Sequence, residues 1–247
     1  MSGATELAAA ASAGRRAELA DALALLRARM AGAATSAGRR PDDVTLVAVT
    51  KTYPVADAAE LVSLGVTELG ENRVADLRAK ATAVPSAHWH FIGQLQTNKV
   101  NKVVVLAGLV AIHSIDRPAL VTALGTAVSR QSDRPVPLDC FVQVDLDPVA
   151  RPGRGGARPG DVAALADAVA GLPGLRLAGV MAVAPLRRDP DDAFTELAQI
   201  SGLLRRDHPG ATAVSAGMSG DLEAAIRHGA THVRVGAALL GRRPPLR

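Results

Sequence analysis

The sequence predicts an α/β protein, specifically a (β/α)8 TIM barrel. Short apolar runs rich in β-branched residues alternate with helical stretches, which is typical of a parallel sheet with right-handed crossovers. Eight such units can be counted in a chain of 247 residues, a length that suits one barrel. The alternative, an open doubly wound sheet, would carry a glycine-rich turn after its first strand, and that turn here reads Lys-Thr-Tyr-Pro.

The elements follow in chain order. Residues 4–36 alternate alanine and leucine with charged residues, which predicts an amphipathic helix or a helical pair. The predicted strands cover 44–50, 67–69, 88–92, 109–113, 137–144, 175–182, 211–215 and 231–235. The predicted helices cover 55–64, 73–83, 97–106, 117–130, 161–170, 190–206 and 220–228, and a proline- and glycine-rich loop covers 147–160. We expect residues 1–247 to form a single barrel domain with 4–36 as its N-terminal helical segment.

Composition narrows the classes of function. The net charge of +4 comes from scattered basic residues with few aromatics, so we expect no nucleic-acid partner. Cys140 is the only cysteine, which excludes internal disulfides and zinc clusters and indicates a core thiol. No apolar run reaches the length of a membrane span, and no signal-type core forms at the N-terminus. We expect a monomer in the reducing cytoplasm that does not bind membranes.

The first predicted strand runs into Lys51, one of only four lysines in the chain. Strand alternation would place Lys51 on the same buried face as Val47 and Val49. A buried ammonium either pairs with a carboxylate or becomes a low-pKa amine that can form a Schiff base. The alternative is that the strand stops one residue early and leaves Lys51 solvated.

The turns after the seventh and eighth strands predict an anion site. In many barrels this corner binds phosphate through loop amides and a helix N-terminus. Ser219 followed by Asp221 also fits an ordinary helix N-cap. Arg234 shares a strand face with His232 and Gly236, so it either pairs with a carboxylate or donates to a ligand. A lysine, a phosphate corner and an inward arginine together suit pyridoxal 5′-phosphate (PLP).

Several runs resemble those of the YggS/PROSC family of pyridoxal phosphate homeostasis proteins. They are Val-Ala-Val-Thr-Lys ending at Lys51, Gly-Glu-Asn at 70–72, Trp-His-Phe-Ile-Gly-Gln-Leu-Gln-Thr-Asn-Lys at 89–99, Gly-Met-Ser at 217–219 and Val-Arg-Val-Gly at 233–236. The resemblance spans about residues 15–242 and implies a barrel like the N-terminal domain of alanine racemase. It also implies PLP as cofactor, with no known catalytic activity.

The resemblance further implies roles for individual residues. Lys51 would form the internal aldimine and Arg234 would face the pyridine nitrogen. Ser219 and the amides of Gly236 and Ala237 would hold the phosphate. The residues implied to line the pocket are Asn72, Met218 and Ser215. Two positions depart from the family: Arg73 stands where tyrosine is frequent, and Met-Ala-Val at 181–183 stands where a cysteine is common.

We therefore expect a PLP-binding homeostasis protein that holds its cofactor on a lysine without catalysis and passes it to PLP-dependent apo-enzymes. The alternatives are a low-activity amino acid racemase, for which Tyr53 is the only tyrosine available as a second base, and an aldolase acting on sugar phosphates through Lys51. In the 89–99 run, Trp89 and Phe91 are expected to face the helices and His90 the interior. Asn98 and Lys99 are candidates for a partner surface.

Overall fold

The computed structural model describes residues 2–131, 136–149 and 153–241 and confirms the predicted barrel. Eight parallel strands close on themselves in sequence order, β1 to β8. The strands are β1 Thr45–Val49, β2 Glu68–Glu71, β3 His88–Phe91, β4 Leu109–Ile115, β5 Leu138–Val144, β6 Leu175–Ala182, β7 Ala213–Ser215 and β8 His232–Val235. The helices are α1 Ser2–Ser36, α2 Val55–Ser63, α3 Val74–Ala83, α4 Val100–Val104, α5 Pro118–Ser129, α6 Val162–Ala170, α7 Pro190–Asp207, α8 Leu222–Arg227 and α9 Ala237–Leu240.

The predicted boundaries differ from the observed ones at a few ends. The N-terminal segment is one continuous helix, which decides between the two expectations for residues 4–36. The helix predicted at 97–106 is a 3-10 turn, Thr97–Lys99, followed by the short α4. Helix α8 is shorter than predicted because it begins only at Leu222, after a tight turn. The predicted loop at 147–160 lies partly outside the described residues, and a 3-10 turn forms at its end, Pro159–Asp161.

The core forms two layers. Outward-facing strand residues and the inner faces of the helices build the larger one, which includes Trp89, Phe91 and Cys140, all at most 1% exposed. The smaller apolar cluster, Ala111, Phe141, Ala178 and Met181, belongs to the barrel interior. Barrel interiors are usually filled with branched apolar side chains, whereas this one also contains histidines and an arginine. The expected placement of Trp89 and Phe91 against the helices is therefore confirmed.

Helix α1 is fastened to the barrel by charged contacts. Arg15 donates to both carboxylate oxygens of Asp57 on α2, at 3.1 and 2.7 Å, and to the carbonyl of Leu240 on α9 at 3.0 Å. Arg29 donates to Glu223 on α8 at 2.8 Å. These contacts join the N-terminal helix to the elements that follow β1, β7 and β8. In the described part of the chain, none of the helices combines the length and the apolar character that a membrane span requires.

Candidate functional site

The half-buried Lys51 lies in a tight turn rather than on the face of a strand. Strand β1 ends at Val49, so strand alternation does not set the direction of the lysine and that part of the prediction is wrong. The amide of Tyr53 donates to the carbonyl of Thr50 at 3.0 Å and closes the turn. Thr52 has a φ of 70°, the one positive φ at a non-glycine position in the described chain. A β-branched residue in this region is strained, and such strain concentrates at functional sites.

A buried ion pair holds the backbone at the start of this turn. Lys80 on α3 donates to Glu71 Oε1 at 2.5 Å and to the carbonyl of Thr50 at 2.6 Å. The hydroxyl of Thr50 donates to the same carboxylate oxygen at 2.7 Å. The Glu71 side chain is 0% exposed and that of Lys80 is 5% exposed. Lys80 and Glu71 thus fix the backbone immediately before Lys51, and the sequence prediction did not pair them.

Asn72 follows β2, the strand that pairs with β1. It is half-buried, and its carbonyl oxygen lies 2.2 Å from where a Cβ on Gly93 would stand. Only glycine therefore allows the ends of β2 and β3 to approach this closely. The approach fixes the backbone of Asn72 at the rim of the barrel, one strand away from Lys51.

Ser215, Gly217 and Arg234 form a second fixed corner where β7 meets β8. The amide of Arg234 donates to the carbonyl of Gly217 at 2.9 Å, which extends the pairing of the two strands beyond β7. Gly217 has a φ of +90°, and a Cβ there would stand 2.6 Å from Ala225 Cβ. Since neither the backbone nor the space admits a side chain, glycine at this position is required for the corner.

The turn after Gly217 carries two more predicted site residues. Met218 is 38% exposed, and its amide donates to Asp221 Oδ1 at 2.6 Å. The hydroxyl of Ser219 accepts a hydrogen bond from the amide of Ala238 on α9 at 3.2 Å. The ordinary N-cap interpretation of Ser219 is therefore wrong, because the serine bridges to the turn after β8 instead of capping α8.

Gly236 and Ala237 form that turn after β8. Gly236 occupies the N-cap position of α9, and Ala237 is exposed. A Cβ on Gly236 would stand 3.1 Å from the carbonyl oxygen of Val49, so this turn adjoins the end of β1. The predicted phosphate corner and the predicted lysine thus follow neighbouring strands, β8 and β1.

Arg234 points into the barrel interior and is only 5% exposed. Its guanidinium donates to Ser215 Oγ at 2.6 Å and to the carbonyl of Ala182 at 2.8 Å. Burial lowers its pKa to about 10, which still leaves it cationic at neutral pH. No carboxylate pairs with it directly among the described residues, so the expectation of an ordinary arginine–carboxylate pair is wrong.

A chain of polar side chains extends from Arg234 through the interior. The sequence prediction placed its first member, Ser215, in the site, but not the residues beyond it. Ser215 Oγ lies 2.9 Å from His113 Nδ1, and His113 Nε2 lies 2.9 Å from His90 Nδ1. His90 Nε2 lies 2.6 Å from Glu68 Oε2 at the start of β2. The expectation that His90 faces the interior is confirmed. One histidine at an inward position of each of the neighbouring strands β3 and β4 was the available signal.

Burial favours the neutral form of two interior histidines, His113 and His232. Burial, and then the nearness of His90, hold the pKa of His113 well below its usual value. Burial likewise lowers the pKa of His232 to about 4. Burial acts to raise the pKa of Glu68, but hydrogen bonds from His90 and His88 outweigh it, so the net shift is downward and the group is a carboxylate. Across the described ranges no group of His, Cys, Asp and Glu side chains could hold a metal ion.

The chain is similar to known proteins over most of its length. The alanine racemase N-terminal domain family matches residues 22–244. The pyridoxal phosphate homeostasis protein of Corynebacterium glutamicum is 40% identical over 223 residues, which is 89% of this chain and 99% of that protein. The protein of the same name from Escherichia coli K12 is 35% identical, over 92% of this chain and 97% of its own length.

Solved structures support the same relationship. PipY of Synechococcus elongatus PCC7942, solved with PLP bound, is 31% identical with a TM-score of 0.77, over 90% of this chain and all of PipY. Alanine racemase from C. glutamicum is 15% identical with a TM-score of 0.64, over 89% of this chain and 60% of the racemase, and shows the shared fold. The chain belongs to the alanine racemase N-terminal domain family and, within it, to the pyridoxal phosphate homeostasis proteins.

Proposed function

We propose that this protein binds PLP and serves its intracellular homeostasis, with Lys51 holding the cofactor as a Schiff base. The observation that carries the proposal is Arg234, a buried cation without a direct carboxylate partner among the described residues, on the strand that pairs with the one before Lys51. When bound, PLP supplies an aldehyde that condenses with an amine to a C=N bond and releases one water. The names and the bound PLP of the relatives support the same cofactor.

The donor set suits the cofactor. Arg234 retains donor capacity beyond its bonds to Ser215 and Ala182, since a guanidinium has five N–H groups. In the proposal it faces the pyridine nitrogen, while Ser219 and the amides of Gly236 and Ala237 bind the phosphate. The remaining residues proposed to line the pocket are Asn72, Ser215 and Met218.

The same arginine argues against catalysis. A guanidinium donates and does not give up its proton, so the ring nitrogen that it faces stays unprotonated and the ring withdraws electrons poorly. A racemase would also need a second acid or base. The hydroxyl of Tyr53, the sole tyrosine, donates to the carbonyl of Gly241 at 2.6 Å and is buried. We therefore propose a binding and carrier role, with weak racemization as the alternative.

The experiment is the absorbance spectrum of the purified protein with added PLP, followed by borohydride reduction and peptide mass analysis. The proposal expects one adduct, on Lys51, and loss of the bound band in Lys51→Ala. Lys99→Ala is the matched control, and it should retain both the adduct on Lys51 and the absorbance band of bound PLP. A colourless protein, or a reduced adduct on another lysine only, would contradict the proposal. Exchange of the alanine α-hydrogen with inversion would favour the racemase.

We further propose PLP-dependent apo-enzymes as the partners that receive the cofactor. A cleft of about 570 Å³ adjoins Asn72 and is lined by Arg73, Arg78, Lys99 and Lys102. None of these four cations forms an ion pair with another described residue, so they can attract an acidic protein surface. Arg73, which departs from the family pattern, adds to this charge.

Transfer of PLP to an apo-aminotransferase tests this surface. The charge-reversed pair Arg78→Glu and Lys102→Glu should slow transfer without changing spontaneous PLP release. The matched control reverses the charges of the exposed Arg205 and Arg206 on α7, as Arg205→Glu and Arg206→Glu. If PLP transfer slows equally in both double variants, the effect comes from net charge alone and the docking role is overturned. We propose a monomer in the cytoplasm, and sedimentation of the PLP-bound protein checks the monomer.

A further inference from the structure

The polar chain inside the barrel spans most of the distance between its two ends. Glu68 and His88 stand at the first residues of β2 and β3, whereas Ser215 is the last residue of β7. His88 is half exposed, and its Nδ1 lies 2.6 Å from Glu68 Oε1. The two central histidines are at most 4% exposed. Such a buried chain costs stability unless each member is satisfied, and here each member has a hydrogen-bond partner.

When each imidazole carries one proton, the contacts fix the direction of the hydrogen bonds. Because the Glu68 carboxylate can only accept, His90 Nε2–H donates to it. With its single proton on Nε2, His90 accepts at Nδ1, so His113 donates from Nε2–H and accepts at Nδ1 from the hydroxyl of Ser215. The oxygen of Ser215 accepts from the guanidinium of Arg234. Each group donates toward Glu68, and the chain joins a cation to a carboxylate.

We propose that His113 and His90, together with Ser215 and Glu68, are positioning residues for Arg234. They hold one edge of the guanidinium and align dipoles that stabilise its charge, so the remaining edge stays aimed at the ligand. This role rests on the proposed PLP site, where Arg234 faces the ring nitrogen. A carboxylate placed directly against the arginine would neutralise it, whereas this chain keeps the anion two histidines away.

Packing supports the directional role of His113. Its ring stacks on Phe141, with centroids 4.2 Å apart and planes inclined by 17°. His90 meets it edge-on at 5.1 Å. The stack fixes the plane of the imidazole, so both nitrogens point along the chain. Phenylalanine can stack on the same ring but can neither donate nor accept, so His113→Phe breaks the chain and retains an aromatic ring at this position.

The first test uses the cofactor-free wild type and needs no substitution. Nitrogen-15 NMR at pH 8 should find His113 and His90 both protonated at Nε2 and not at Nδ1. A coupling across the hydrogen bond should link His113 Nε2 with His90 Nδ1. Protonation of His113 at Nδ1, or absence of the coupling, would overturn the proposed direction.

The second test measures PLP binding to the full chain. His113→Phe should weaken PLP affinity by about tenfold, the order expected for one lost buried hydrogen bond, and should shift the absorbance maximum of the bound cofactor. His208→Phe is the control, since His208 pairs with Asp167 on the surface at 2.8 Å. His113→Gln serves if the phenylalanine variant does not fold, and should weaken binding to a smaller extent.

The two proposals fail in different ways. If wild-type protein does not bind PLP, the proposed function fails while the NMR measurement still tests the chain. If wild type binds PLP on Lys51 but both His113 variants match it in affinity and absorbance maximum, the positioning role is wrong and the function stands.

Discussion

Replacing Lys80 with methionine measures how much the buried ion pair beside Lys51 contributes to stability. The substitution keeps the length and the apolar stem of the side chain and removes only the ammonium. It leaves the Glu71 carboxylate, which is 0% exposed, with the Thr50 hydroxyl as its one remaining hydrogen-bond donor among the described residues. Glu71 Oε2 already lacks a hydrogen-bond partner in the described structure. An unpaired buried carboxylate is strongly unfavourable.

The size of the destabilisation depends on whether the Glu71 carboxylate stays charged without its partner or takes up a proton. Breaking a buried pair costs about 3–5 kcal/mol of folding free energy. Taking up a proton is the alternative, and at pH 7 it costs an ordinary glutamate about 3.7 kcal/mol. The expected destabilisation of Lys80→Met at pH 7 is therefore about 3–4 kcal/mol. At pH 5 the proton costs only about 1 kcal/mol, so the destabilisation should shrink accordingly.

Urea unfolding at both pH values measures the effect. Adding Glu71→Gln to Lys80→Met should restore much of the loss at pH 7, because a neutral pair leaves no buried charge. Lys102→Met, at an exposed lysine, is the control and should stay within about 0.5 kcal/mol of wild type. A Lys80→Met loss below about 1 kcal/mol at pH 7, or one that does not shrink at pH 5, would refute the reasoning.

Three further predictions concern the strained turn, the corner and the interior. Thr52→Gly should raise stability by about 1 kcal/mol, because it relieves a φ of 70°; a lower Tm than wild type would contradict this. Gly217→Ala should cost about 2 kcal/mol from strain and overlap with Ala225, whereas Gly220→Ala, with open space around it, should be nearly neutral in the same denaturant titration. Below about pH 6.5, stability should fall by about 2 kcal/mol per pH unit down to pH 4, because the unfolded chain protonates both His113 and His232, whose pKa values are lowered in the fold; a stability that does not change with pH in this range would contradict this.

The fold could be predicted because the hydrophobic periodicity of each element and the order of strands and helices can both be read from the sequence. Each strand is a short β-branched run, and each is followed by a helical stretch, so eight parallel strands follow from counting. The errors fall where tertiary contacts decide the ends of elements. Helix α8 begins late because the Met218 amide bonds to Asp221 Oδ1 and holds the chain in a turn. The end of β1 at Val49 follows from the turn closed by Tyr53 and Thr50.

The site was predictable only in part. Lys51, Asn72 and the glycine-rich turns stand at strand ends, so barrel geometry places them on one rim. The bridge from Ser219 to Ala238 could not be predicted, because it depends on how two turns approach each other in space. The interior histidines were visible as inward positions of β3 and β4, but their order depends on the stagger of the strands. That stagger includes a register shift between Trp89 and His90.

The two buried cations of the site region, Lys80 and Arg234, differ in their partners, and this difference assigns the first to stability and the second to ligand binding. Lys80 touches a carboxylate at 2.5 Å, so its charge is neutralised locally and cannot attract a ligand. Among the described residues, the guanidinium of Arg234 donates to a hydroxyl and a carbonyl, both neutral, and burial lowers its pKa. A buried charge that no carboxylate contacts directly stabilises an acceptor that reaches it. Ligand binding should therefore raise stability in proportion to how well it satisfies Arg234, and much less so in Arg234→Met.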